Sequence, residues 1–571
     1  QPPSASPGYT RVEAARIETV WRAHVRYDGT DSPLAIVMPP SSDDASRVDG
    51  LRAAFEAAHR QRYGFVMADK GLVVESASVE VIGHTDAPEE PTLPLTGGEP
   101  LPVAHRQAYL AGQPMGGWSQ VPLYDRDRLQ PGQAVLGPAL ILEKTGTNLV
   151  AAGWRAEITA RNHLVMTRAH AVVRQEAVGT HVDPVMLEVF NNLFMSIAEQ
   201  MGAVLENTAY SVNIKERLDF SCAIFDPAGH LVANAPHIPV HLGSMGESVQ
   251  TIIRQRAGTM RAGDVYAINA PYNGGTHLPD VTLIAPVFDD AAKLPIFFVA
   301  SRGHHADIGG TTPGSMPPDS RRIEEEGVVF DDFSLVEAGH FREAELVAQL
   351  QSGPYPSRNV YQNIADLHAQ IAACEKGVQE LRHLVERYGL AVVHAYMGHV
   401  QDNAEECVRR AIAGLEGGAF RYGMDNGAVV QVAVEVDRAK REARIDFTGT
   451  SAQQANNFNA PTAICRAAVL YVFRTLIGDE IPLNDGSLKP IHLIVPAGSM
   501  LAPRYPAAVV AGNVETSQVI TDALFGALGI MAAAQGTMNN FTFGNARYQY
   551  VETICGGAGA GPTWHGASAV H

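Results

Sequence analysis

Apolar and polar positions change their rhythm several times along the chain. Alternating runs at 16–27, 34–38 and 73–83 predict strands, and 43–62 predicts an amphipathic helix ending at Tyr63-Gly64. The stretch 89–115 is rich in Pro, Gly and Gln. From 118 to 167 short alternating runs are cut by turns such as Gln130-Pro131-Gly132-Gln133 and Leu136-Gly137-Pro138, which predicts a small β-rich unit. A boundary falls near residues 170–182. Beyond it Asp183 as N-cap and Pro184 at the first helical position open a helix, and Leu187, Phe190, Phe194, Ile197, Met201 and Val204 recur at steps of three and four, a stripe facing a core. Further helices are expected at 364–388, 391–414 and, as a buried segment, around 523–534, with strands at 429–436, 443–447 and 491–495. The mixture, without a visible repeat, predicts a multi-domain α/β (mixed α+β) protein: a small β-rich N-terminal unit and a larger mixed unit.

Composition narrows the function classes. The chain has 571 residues, 46% hydrophobic and 18% charged, enough apolar material for more than one core. A formal charge of −18 and the lack of a basic arm argue against a nucleic-acid partner. The 523–534 run is too short to span a bilayer and is interrupted by Gly526 and Gly529, so no membrane partner is expected. Five scattered cysteines, with no Cys-x-x-Cys pair, suit a reducing cytoplasm. The opening on Gln1 and the glycine-rich end before His571 read as cut ends, and the chain is expected to be a fragment.

The unusual chemistry is concentrated between residues 219 and 326. A strand-like run, 218–226, carries Asp219 and Ser221 on one face, ending in Pro227-Ala228-Gly229. Asn273-Gly274-Gly275-Thr276-His277-Leu278-Pro279-Asp280 gives a glycine turn and then His-x-x-Asp, leading into a strand at 281–288. After a strand at 296–300 comes Ser301-Arg302-Gly303-His304-His305-Ala306-Asp307. Imidazoles and carboxylates gathered at strand ends suit Zn²⁺ or Mn²⁺, with a coordination place left for water. His-x-x-Asp alone is a weak signal, since a single turn histidine is more often a hydrogen-bonded structural residue. His237 and His241 could border the site or pin a loop, and they stay outside the ligand set. The loop 314–327, with Ser315, Arg321, Glu325 and Glu326, is polar enough to bind substrate or move protons; a solvated, salt-bridged surface loop is the competing reading.

These motifs together, with His237-Ile238-Pro239-Val240-His241-Leu242-Gly243-Ser244-Met245, Gly314-Ser315-Met316-Pro317-Pro318, Ile323-Glu324-Glu325-Glu326-Gly327 and Asp366-Leu367-His368-Ala369-Gln370, resemble the hydantoinase B half of the hydantoinase/oxoprolinase family. The run from Phe55 to Phe65 and Gly137-Pro138-Ala139-Leu140-Ile141 resemble the C-terminal end of the hydantoinase A half. The resemblance implies two domains: 1–175, the end of an actin-like ATPase half closing in a β-rich unit, and 176–571, a metal-binding catalytic domain truncated at its C-terminus. It implies Asp219, His277, Asp280 and His304 as metal ligands and His305 and Asp307 as groups orienting them. His305, Asp307 and Glu325 are the candidate catalytic residues, and Ser315, Arg321 and Glu326 the candidate substrate-binding residues.

The implied activity is ATP-dependent hydrolysis of a cyclic amide, 5-oxoproline or a hydantoin or other lactam, in which phosphorylation of the amide oxygen precedes attack by water activated at the metal. ATP with Mg²⁺ would be held mainly by a part of the protein outside this chain, because neither a Gly-x-x-x-x-Gly-Lys-Ser/Thr loop nor an actin-type phosphate loop occurs. Gly556–Gly561 is followed by Pro562 and Trp564 where a dinucleotide site needs a helix, so it reads as a structural turn. Expected partners are the small-molecule substrate and the remaining ATPase portion, in a cytoplasmic homo- or hetero-oligomer. An ATP-dependent ketone carboxylase of related architecture and a non-catalytic scaffold are the competing readings.

Overall fold

The computed structural model describes residues 17–28, 33–39, 44–63, 66, 70–84, 90–110, 117–169, 179–235, 238–288, 294–477, 483–534, 536–545 and 549–570. Arg16, Asp43 and His237, which enter the expectations above, lie outside them.

The chain forms two compact units, one of residues 1–20 and 80–177 and one of residues 21–79 and 178–571. Residues 21–79 thus cluster with the larger unit. The reason is packing. Ala23, Val25 and Tyr27 of a strand and Phe55 of the Asp44–Tyr63 helix bury their faces in one cluster with Val204 and Ala372 of two long helices. Amphipathicity tells that a face is buried, not against what.

The smaller unit is β-rich. Ala104–Leu110, Gly117–Asp125, Ala139–Leu142 and Thr147–Val150 form one sheet, and Ala134–Leu136, Trp154–Ile158 and Leu164–Arg168 another, around Leu129, Val135, Ile141, Val150 and Ile158. The Ala104–Leu110 strand lies inside the Pro-, Gly- and Gln-rich stretch 89–115.

The larger unit is built on a seven-stranded antiparallel sheet, in the order Leu231–Asn234, Phe220–Phe225, Phe297–His304, Asp280–Val287, Val265–Ile268, Phe333–Glu337, His340–Phe341. It is covered on both faces, so its strands are apolar at nearly every position. Cys222, Ile224, Leu283, Ala285, Phe297 and Val299 point to the face covered by the helices Pro184–Thr208 and Val360–Tyr388. Ala223, Phe225, Ile284, Phe298 and Ala300 point to the other, where Met245, Val249 and Ile252 of the Pro239–Gln255 helix pack. The Pro184–Thr208 helix starts as its sequence dictates, with the Asp183 carboxylate accepting from Met186 N at 2.8 Å.

A second core joins the sheet Gly418–Gly423, Val429–Asp437, Glu442–Asp446 and Ile491–Ile494 to the helices Thr462–Thr475 and Thr516–Leu528. The Pro239–Gln255 and Thr462–Thr475 helices touch closely at Gly243, where a Cβ would stand 2.4 Å from the Cα of Ala467. No described helix is long and apolar enough to cross a membrane.

Candidate metal centre

Three neighbouring strands of the central sheet have one end each at the same edge, and residues at those ends make the site. Asp280 and His304 are direct cross-strand partners, and His304 N donates to Asp219 O at 3.0 Å, which adds the start of the Phe220–Phe225 strand to the row. Side chains alternate along a strand, so Asp219, Ser221, Asp280, Thr282, Arg302 and His304 all face the Pro239–Gln255 helix. His277 comes from the turn before Asp280. That turn is held by the buried Asn269 side chain, which donates to Leu278 O at 2.8 Å and Val328 O at 3.0 Å. Gly275 lets it lie against the Asn269 backbone, where a Cβ would be 2.2 Å from a carbonyl oxygen.

Asp280 is the hub. One carboxylate oxygen, Oδ1, lies 3.0 Å from His277 Nε2 and 3.0 Å from His304 Nδ1. The other, Oδ2, accepts from Thr276 Oγ1 at 2.8 Å and faces His241 Nε2 at 3.3 Å. Asp219 stands slightly further off, its oxygens 3.9 Å from His304 Nδ1 and 4.0 Å from His241 Nε2. Burial by itself would raise the Asp280 carboxyl, but His277 and His241 hold it well below the usual carboxylate range. His304 is lowered by its burial and raised more by Asp219 and Asp280, so its basicity ends above the ordinary value.

The donor set fits a divalent cation. Ligand atoms of His277, Asp280 and His304 lie within 4.8 Å of one another, all three residues buried. His277 Nδ1 is buried without a hydrogen-bond partner, so this imidazole is held by what its Nε2 binds. The two oxygens of Asp280 divide the work: Oδ1 faces the ligand nitrogens, and Oδ2 is held by Thr276 and His241, as a metal-binding carboxylate is held by its supporting groups. Of the two readings open for His241 the structure favours the one that borders the site: it sits in the first turn of the Pro239–Gln255 helix, with its Nδ1 3.2 Å from Ser221 Oγ. The available signal was Pro239 at a first helical position, the same mark that opened the Pro184 helix.

The six other candidate residues are placed elsewhere. His305 is the next residue along from His304 and so faces the opposite side of the sheet, where Gln370 Oε1 and Asn363 Nδ2 bond its two ring nitrogens at 3.1 Å each. Asp307 accepts from Gly309 N and Gly314 N and pairs with Arg358 at 2.9 Å, anchoring its loop. Ser315 Oγ accepts from Ile308 N and donates to Gly309 O. Glu325 accepts from Arg321 N and Arg322 N, making the Arg321 backbone part of that turn. Glu326 is fully buried and accepts from Ser320 Oγ, Val509 N and Val510 N. None of the six lines the cavity described next. Five of the six use side-chain polar atoms to hold the 305–327 segment in place, and Arg321 takes part through its backbone.

The His277–Asp280–His304 cluster lines a cavity of about 370 Å³. Its walls include Arg217, Asn513 and Asp522 among the polar groups, and Ile238, Val240, Ile464, Phe525 and Met538 among the apolar ones. Mostly apolar walls with a few convergent polar groups are the usual make-up of a small-molecule site. The Gly556–Gly561 stretch folds back through the Ala558–Ala567 and Gly561–Trp564 bridges, with no helix after it.

Residues 183–571 match the family model for hydantoinase B/oxoprolinase. The chain belongs to this family. Residues 9–167 match the hydantoinase/oxoprolinase C-terminal domain. The chain is 42% identical to 5-oxoprolinase 1 of Arabidopsis thaliana, over 97% of the chain and 45% of that protein, and 38% identical to 5-oxoprolinase of Saccharomyces cerevisiae, over 95% and 44%. It thus spans about half the length of the curated relatives it matches. In structure it resembles the ATP-dependent caprolactamase from Pseudomonas jessenii, with a TM-score of 0.58 at 24% identity over 68% of this chain and 69% of that one. Acetone carboxylase gives a TM-score of 0.59 at 16% identity over 69% and 56%. At these identities the two likenesses speak for the fold alone.

Proposed function

We propose that this chain supplies the metal-binding half of an ATP-dependent hydrolase of cyclic amides, with 5-oxoproline as the leading substrate. The observation that carries the proposal is the convergence of His277, Asp280 and His304, with Asp219 beside them, in the wall of a cavity sized for a small molecule. A divalent ion there, Zn²⁺ or Mn²⁺, would act as a Lewis acid and polarise a bound water or carbonyl. His277, His304, Asp280 and Asp219 would hold it. His241 and Thr276 keep the Asp280 carboxylate turned so that Oδ1 is the oxygen offered. Asn513, whose amide lies 3.3 Å from His277 Nε2, is a neutral polar group at the cavity end of the site and can orient an amide substrate. The apolar wall keeps water from a reactive, phosphorylated amide, which would otherwise hydrolyse without control.

ATP with Mg²⁺ belongs to a portion outside this sequence, consistent with relatives about twice as long. On this reading residues 1–175 are the end of that ATPase half and 176–571 the metal-binding half, working in a cytoplasmic oligomer. The relatives named as 5-oxoprolinases favour hydrolysis over ketone carboxylation, for which only the fold of acetone carboxylase speaks. Metal analysis of protein purified without chelators, with assays of ATP-dependent opening of 5-oxoproline, hydantoin and caprolactam, tests the proposal. One bound divalent ion and amino-acid release are expected; bicarbonate consumption with a ketone, and no ring opening, would replace hydrolysis by carboxylation.

A further inference from the structure

Beside the metal cluster the cavity wall holds a guanidinium that no carboxylate of the described residues neutralises. Arg217 Nη2 donates to Thr553 Oγ1 at 2.8 Å, while Nη1 is shut off from solvent and has no hydrogen-bond partner. Asp219, two residues on, turns to His241 and His304. Arg217 is half-buried, and the Nη1 edge of its guanidinium is kept from water without an acceptor, a cost that is recovered when an anionic acceptor is brought to it.

The backbone supports the same conclusion independently. Leu218, between Arg217 and Asp219, has φ +54°, a left-handed conformation that strains a non-glycine residue, and its side chain is 45% exposed. The chain takes on strain and shows a leucine to water; in return Arg217 and Asp219 both line the cavity. Around them Ile238, Val240, Ile464 and Phe525 lower the local dielectric, which strengthens a charge pair formed inside. A planar guanidinium fork matches a carboxylate.

We propose that Arg217 is the receptor for a substrate carboxylate: the cyclic amide taken by this site carries a carboxylate group on its ring, which Arg217 Nη1 binds while the amide is presented to the His277–Asp280–His304 cluster. Arg217 thereby separates carboxylated lactams from uncharged ones. This rests on reading the cavity as the lactam site. It assigns Arg217 a specificity role distinct from the metal-holding role of Asp219.

The test compares binding of 5-oxoproline with that of its carboxamide, by calorimetry, in the whole protein and in its Arg217→Gln, Arg217→Lys and Thr553→Val variants. The parent should favour the carboxylate by roughly 100-fold, the size of a lost buried charge-assisted bond. Arg217→Gln should erase that preference, Arg217→Lys keep part of it, and Thr553→Val, which frees Nη2, reduce it several-fold. A parent without preference, or an Arg217→Gln variant that retains it, overturns the proposal. If Arg217→Gln does not fold by thermal melt, an unchanged preference in Thr553→Val overturns it instead. Absence of ATP-dependent ring opening by the parent, with the preference intact, would remove the hydrolase reading and leave the carboxylate receptor standing.

Discussion

Replacing Asp280 by Asn probes the metal centre with the least disturbance of the fold. The substitution keeps the shape of the side chain and leaves one oxygen, so the hydroxyl of Thr276 and the imidazole of His241 are not both stranded, as they would be in Asp280→Ala at about 1–3 kcal/mol for each orphaned group. What it removes is a buried negative charge between His277 Nε2 and His304 Nδ1, each 3.0 Å away. Loss of a ligand charge should cost several kcal/mol of transition-state stabilisation, a fall in kcat of about a thousandfold or more. The assay has three arms: metal per chain, ATP binding by the whole protein, and ATP-dependent lactam opening. The expected result is low metal, normal ATP binding and almost no opening. Near-normal turnover at depleted metal content would refute the reasoning and make the cluster structural; full metal retention would show that Asp280 is not a principal ligand.

Three further outcomes follow from the geometry. His241→Ala should lower metal affinity about 10- to 100-fold, read by chelator competition, because Asp280 Oδ2 loses a supporting partner; unchanged affinity would rule out the orienting role. Burial pushes the Glu326 carboxyl from 4.5 up to about 8, so its stabilising contribution is complete below about pH 4.5 and is lost as pH rises through 8. Denaturation at pH 5 and pH 9 should therefore show wild type losing a few kcal/mol relative to Glu326→Gln, and a constant gap between the two proteins would contradict the shift. Gly243→Ala places a methyl 2.4 Å from the Ala467 Cα and should cost about 1–3 kcal/mol, seen as a lower Tm, with loss of turnover as the two cavity helices part.

Local signals made much of the fold readable. The Asp183–Pro184 start, the 43–62 helix and the two long helices, observed at Val360–Tyr388 and Leu390–Ala413, fall within a few residues of their patterns. The Pro239–Gln255 helix was hidden because Ile238 offers no side-chain cap and Gly243 and Gly246 weaken its propensity. With the helix went His241. Gly243 is there for close packing on Ala467, a contact across more than two hundred residues that no window on the sequence can contain. The buried apolar helix, expected at 523–534, is Thr516–Leu528: its apolar residues were recognised, but Gly529, at φ +65°, ends it. The charges of 314–327 looked like chemistry for a related reason, since only the fold brings the backbone amides of Val509 and Val510 to Glu326.

Alternation along one strand separates His304 from His305, and it also explains how a charged site is built on a dry sheet. One rung below Asp280 and His304 lies the pair Thr282 and Arg302. Arg302 is fully buried, and its guanidinium donates to Thr282 Oγ1 and to the hydroxyls of Ser244 and Ser248 on the covering helix. Burial pulls it down to about 10, with Asp280 pulling the other way, so it remains a cation at neutral pH. A fixed positive charge satisfied by hydroxyls, without a carboxylate of its own, leaves its field free to act on Asp280. That field adds to the effect of His277 and His241, which hold the buried Asp280 carboxyl in its ionised form. The same helix therefore serves the site twice: His241 in its first turn holds the Oδ2 oxygen of Asp280, and Ser244 and Ser248, one and two turns on, hold a buried charge next to that carboxylate.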